Sequence, residues 1–119
     1  MMNKNFDKPA IVVYKSNELN ENVDLNELIW GIEEEGIPYI VKDMEDEASD
    51  SLAYEASHRS RLSVGIGIDK NENLVITHSK LPMGEGLFKV DLTHKDNNLR
   101  NLGSNAARIV KGFPLKEIK

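Results

Sequence analysis

At 119 residues, with a formal charge of −5, no cysteine and 29% charged residues, the chain is sized for a single domain over residues 1–119 with a buried core. The missing cysteines exclude disulfides and thiolate metal sites. The negative charge argues against general nucleic-acid binding, and no apolar run approaches the roughly 20 residues of a membrane span.

The opening residues, MMNKNFDKPA, lack the apolar centre of a signal peptide. A loose tail over 1–8 and a cytoplasmic location are expected. AIVVYK, residues 10–15, is apolar and β-branched, as a strand buried on both faces requires. After the polar SNELNEN, a helix is predicted from Val23 or Asp24 to Glu35, with Asp24 as cap and Glu27 at capping-box spacing. PYIVKDM, 38–44, reads as a second strand whose proline suits an edge or first position. The alanine-rich 46–60 reads as a helix, LSVGIGID (62–69) as a strand, and NLVITHS (73–79) as its antiparallel return. LFKVDL, 87–92, is a candidate fifth strand, and a last helix runs from about Asn97 to Lys111, stopped by Gly112 and Pro114. This order predicts an α/β sandwich, a mixed sheet with helices on both faces.

On a wheel of about 100° per residue, Leu25, Leu28, Ile29 and Ile32 of the first helix share a core-facing arc. Glu27, Trp30 and Glu34 fall opposite, with Gly31 beside them. The lone tryptophan therefore points away from its own core. One reading leaves Trp30 lying over a neighbouring loop and Glu34 solvated. The other is a partner interface built from Glu27, Trp30, Gly31 and Glu34, in which Trp30 is an anchor and Gly31 admits a second backbone. On that reading Glu34 meets a partner's basic side chain, or a metal ion shared across the interface, because one carboxylate cannot hold Mg²⁺ or Ca²⁺ alone. Glu33 and Glu35 flank the core arc and are expected to be solvated. Acids at a helix C-terminus are disfavoured by a few tenths to about 1 kcal/mol, so the run Glu33-Glu34-Glu35 calls for a compensating cation. Acids concentrate between Glu18 and Asp50, whereas Arg100, Arg108, Lys111, Lys116 and Lys119 gather late, a polarisation expected of a charged docking surface.

In the last helix Leu99, Leu102, Ala106, Ile109 and Val110 form a core stripe, and Asn101, Asn105 and Arg108 form a polar edge. Gly103 and Ala107 are small enough to admit a close neighbour, from this chain or another. Support for catalysis is poor. His58, His78 and His94 lack helical zinc spacing, no G-x-S-x-G elbow accompanies His78, and no P-loop is present. GIG at 65–67 continues as strand, and its bare face suits close packing of a helix. A binding subunit is favoured.

GIEEEGIPY, SVGIGID, H-x-KLP and RNLGSNAARIVKGFP occur in an order that resembles the small (β) subunit of the glycerol or diol dehydratase reactivating factor, a relative of the medium subunit of the B12-dependent dehydratase. The resemblance implies a three-layer α/β/α sandwich with a mixed, five-stranded sheet of the dehydratase β-subunit (anticodon-binding-domain-like) type. It implies a non-catalytic subunit of an α₂β₂ chaperone-like complex, whose large Hsp70-like subunit is the ATPase. The complex releases damaged cobalamin so that adenosylcobalamin can rebind, by exchange of the small subunit with the dehydratase β subunit against the dehydratase α subunit. It implies a divalent metal, Mg²⁺ or Ca²⁺, shared with the large subunit through Glu34. The setting is the cytoplasm or a bacterial microcompartment. Two other readings stay open: a subunit of the dehydratase itself, and a free-standing α/β domain in which His78 and acids converge on a pocket.

Overall fold

The computed structural model describes residues 8–94 and 97–118. The expected tail over 1–8 lies outside the described residues except for Lys8, which is exposed. The elements run β1 (Ile11–Ser16), α1 (Asn26–Glu34), β2 (Tyr39–Met44), α2 (Ser49–Arg59), β3 (Val64–Ile68), β4 (Asn73–His78), β5 (Phe88–Asp91) and α3 (Leu99–Lys111).

The strands form a five-stranded mixed sheet in the order β2-β1-β3-β4-β5. β1 pairs parallel with both β2 and β3, Val13 lying between Val41 and Ile66. β4 returns antiparallel beside β3, and β5 antiparallel beside β4. Strand alternation sorts the two faces. Ile11 and Val13 of β1, with Val64, Ile66 and Ile68 of β3, meet Leu28 and Ile32 of α1 and Leu102, Ala106 and Ala107 of α3. Val12 and Tyr14 turn the other way, onto Leu52 and Ala56 of α2. The result is the expected three-layer sandwich. Pro38 sits just ahead of edge strand β2, where it needs no N–H, and its carbonyl accepts a hydrogen bond from the Ile11 N–H at 3.0 Å.

Glycines set the distances between layers. Gly65 and Gly67 face α2, and a Cβ at 65 would lie 2.5 Å from the Ala53 carbonyl oxygen. Bulk on that face of β3 would push the helix off the sheet.

The start of α1 departs from expectation. Leu25 occupies the N-cap position without a side-chain capping bond. Asp24 instead accepts the Asn26 N–H at 2.8 Å in the preceding turn. Glu27 does not close a capping box, because its carboxylate reaches across to α3. The last helix ends as its sequence implies, at Gly112 in the left-handed conformation, φ 71°, and at its start the Asn98 side chain accepts from the Asn101 N–H at 3.1 Å.

Candidate functional site

α1 and α3 lie side by side on the sheet, and the contact between them is backbone against backbone. A Cβ on Gly31 would lie 2.8 Å from the Ser104 nitrogen and overlap the Arg100 carbonyl oxygen; a Cβ on Gly103 would lie 2.9 Å from the Leu28 carbonyl carbon and overlap its oxygen. Gly31 is therefore buried within its own subunit, which corrects the expectation that it admits a second polypeptide. The wheel put it beside the outward residues, but α3 covers that side of α1.

The rest of the predicted face is outward. Trp30 is 45% exposed. Glu27 and Glu34, seven residues apart and so two turns along one line of α1, flank it and are exposed. Arg100 of α3 lies between the two carboxylates. Its Nε donates to Glu27 Oε1 at 2.8 Å, Nη1 donates to Glu34 Oε2, and the guanidinium carbon sits 5.4 Å from the centroid of the Trp30 ring. Cation–π attraction at an exposed site contributes about 0.5–1 kcal/mol, enough to bias the indole towards one orientation.

The cation demanded by the glutamate run is supplied largely from within. Glu35, expected to be solvated, keeps a side-chain exposure of only 10%. Lys111 Nζ donates to its Oε1 at 2.8 Å, Arg108 Nε donates to its Oε2 at 3.0 Å, and the Ser104 hydroxyl donates to the same oxygen. Lys111 also donates to the Glu35 main-chain carbonyl at 2.9 Å, neutralising the negative end of α1. Bonds from Lys111, Ser104 and Arg108, in that order of weight, lower the Glu35 pKa to about 2. Glu33 stays exposed and accepts the Tyr39 hydroxyl at 3.0 Å, which raises the tyrosine pKa. Much of the late basic cluster thus faces the glutamates of the same chain. A spacing signal for this exists: 27 and 34 on one helix, 100, 108 and 111 on the other, mark facing edges two to three turns long.

The polar edge of α3 binds the chain's own end. Asn105, fully buried, donates from Nδ2 to the Lys116 carbonyl at 2.9 Å and accepts the Lys116 N–H at 2.6 Å. Asn101 donates to the Glu117 carbonyl at 2.9 Å, and Arg108 to that of Pro114 at 2.9 Å. The residues after Gly112 are thereby strapped back along α3.

Among the described residues each histidine sits in its own local contact. His58 packs at a tilt against Tyr54, 4.5 Å between ring centroids, His78 accepts the Lys80 N–H at 3.1 Å, and His94 lies 3.6 Å from Asp91. The three are dispersed. A cleft of about 390 Å³ beside the N-terminus of α2 is lined by Asp50, Asp69, Lys89 and Asp91. Its most buried acid is structural: Asp69 accepts the N–H groups of Asn71 and Asn73 at 2.9 and 3.0 Å and the Asn73 side chain at 3.1 Å. Among the described residues no three histidine or acidic side chains gather to hold a metal ion, and no helix is long and apolar enough to cross a membrane. Glu34 offers one exposed carboxylate, already paired through Oε2. It fits a divalent cation only as a single contributor to a shell completed by another chain and water.

Residues 8–116 match the model of the dehydratase medium subunit family. The chain is 37% identical to the propanediol dehydratase-reactivating factor small subunit of Salmonella typhimurium, over 98% of both chains. Its fold superposes on a solved glycerol dehydratase reactivase with a TM-score of 0.86 and 32% identity, covering 92% of this chain and 98% of that one. A chain of diol dehydratase-reactivating factor, solved in complex with ADP and Mg²⁺, gives 0.81 and 34%, covering 92% and 99%. The chain belongs to the dehydratase medium subunit family and, within it, to the small subunits of glycerol and diol dehydratase-reactivating factors.

Proposed function

We propose that this chain is the non-catalytic small subunit of an ATP-dependent reactivating factor, and that it docks on the factor's large subunit through the outer face of α1. The observation that carries the reading is the exposed Trp30 on the outer line of α1, beneath an Arg100 guanidinium that bonds Glu27 and Glu34. Tryptophan is among the residues most enriched at interface hot spots, and this one leaves its own core free of polar compromise by pointing outward. The matched relatives are named as small subunits of such factors and are matched over nearly their whole length, which favours this role over that of a dehydratase subunit.

Glu34 contributes one carboxylate to a divalent cation, Mg²⁺ or Ca²⁺, shared with the large subunit. The cation bridges acidic groups of two chains that otherwise repel. ATP hydrolysis belongs to the large, Hsp70-like subunit of an α₂β₂ complex. Membership of the dehydratase medium subunit family supports exchange as the mode of action: the chain takes the place of the dehydratase β subunit against the dehydratase α subunit while damaged cobalamin leaves. The client is a glycerol or propanediol dehydratase, in the cytoplasm or in a bacterial microcompartment.

Inactivated holoenzyme is mixed with the large subunit, ATP, Mg²⁺ and free adenosylcobalamin, with and without this chain. Recovery of dehydratase activity only when the chain is present is expected. Equal recovery in its absence overturns the proposal.

A further inference from the structure

Arg100 is built as a connection that opens at one end. Its main chain is fixed, because its carbonyl oxygen abuts Gly31 where no Cβ fits. Its head is not: the side chain is 38% exposed, and so are the carboxylates it joins, at 50% for Glu27 and 48% for Glu34. The two ion pairs use different nitrogens, Nε for Glu27 and Nη1 for Glu34. The bond to Glu34 can therefore break while Glu27 and the Trp30 ring, 5.4 Å from the guanidinium carbon, keep hold of the arginine. Exposed ion pairs are weak and exchange readily with competing ions. The neighbouring Glu35 is the contrast, since its carboxylate is almost covered and held by Lys111, Arg108 and Ser104. Of the adjacent acids in the run, one is locked and one is held loosely.

We propose that Arg100 is a displaceable internal counter-ion, which occupies the Glu34 carboxylate in the free subunit and yields it to a divalent cation on docking. This rests on the docking reading above. Its role is positioning and masking: it neutralises Glu34 when no partner is present, keeps Trp30 oriented throughout, and raises the cation concentration needed for association. On release, Arg100 remains beside Glu27 as a positive group at the rim of the interface, available to an acidic group of the partner.

Association with the large subunit is followed as a function of Mg²⁺ concentration, with Ca²⁺ in parallel, for the wild-type chain, Arg100→Gln, Arg100→Lys, Glu34→Gln and the double variant Arg100→Gln/Glu34→Gln. Arg100→Gln is expected to lower the Mg²⁺ concentration for half-maximal association by about three- to fivefold, the size of one exposed ion pair. Association of each variant in EDTA supplies the baseline against which its Mg²⁺ midpoint is read. Arg100→Lys keeps the charge but loses the two-nitrogen fork and should fall between. In the Glu34→Gln background, Arg100→Gln should leave the Mg²⁺ response unmoved. A midpoint that rises or stays put in Arg100→Gln, while Glu34→Gln still blunts the Mg²⁺ response, overturns the counter-ion and leaves the docking reading standing. A Glu34→Gln chain with wild-type Mg²⁺ dependence overturns both.

Discussion

Replacing Gly103 with alanine separates local preference from packing. In a helix interior alanine is favoured over glycine by about 1 kcal/mol, so α3 taken alone should gain. In the folded chain the new Cβ would lie 2.9 Å from the Leu28 carbonyl carbon and 3.1 Å from the Ile32 nitrogen, and would overlap the Leu28 oxygen. All three are main-chain atoms, and no side chain can rotate away. Relief requires α3 to move off α1 by roughly 1 Å, which loosens Leu28, Ile32 and Leu102 in the core they share. Overpacking costs about 1–3 kcal/mol, and a rigid backbone contact belongs at the upper end. After the propensity gain, a net loss of about 2 kcal/mol is expected, a fall in Tm of about 6–10 °C for a domain of this size. Thermal and urea unfolding followed by circular dichroism measure it, with an unchanged m-value as the check that cooperativity survives. Gly31→Ala should act in the same direction, and the double variant should lose less than the two single losses together, because both enlarge one contact. A Gly103→Ala chain that melts at or above the wild-type temperature refutes the close helix contact.

Two further outcomes follow from the same pair of helices. Because the folded pKa of Glu35 is lowered from 4.5 to about 2, its contribution is present above pH 4.5 and is lost as pH falls towards 2. The shift sets a ceiling of about 3 kcal/mol, which solvent screening reduces to about 1–2. Glu35→Gln should lower stability by that amount at pH 7 and flatten the fall in stability between pH 5 and 2, whereas a wild-type slope contradicts the clamp. Asn105→Ala removes both bonds to Lys116 and should cost about 1–3 kcal/mol. Hydrogen exchange should show the Lys116 amide losing protection ahead of the sheet, and an unaltered amide at 116 would count against the strap.

Where periodicity carries the information, the sequence is readable. The continuous apolar run of β1, the arc of Leu28 and Ile32, the bare glycine face of β3 and the stop at Gly112 all declare themselves within one element. So does the outward direction of Trp30 and Glu34. What escapes is what two distant elements do together. Gly31 looks available to a partner until α3 is laid against it, and Glu35 looks solvated until Arg108 and Lys111, more than seventy residues later, are brought over it. Asn105 lies on a polar edge of the wheel, yet it is buried because the following segment folds back. Charge polarisation along the chain was a real signal of complementarity, but the two halves mostly answer each other. The outer line Glu27, Trp30, Glu34 faces away from the core, and Arg100 has already claimed its charge.

The docking role of that line is tested most directly by the affinity of a Trp30→Ala chain for the large subunit, measured calorimetrically in Mg²⁺. Loss of a tryptophan anchor of about 2 kcal/mol or more predicts affinity weakened by about 30-fold or more, with thermal stability close to wild type because the indole is 45% exposed. Wild-type affinity in that variant would contradict the account.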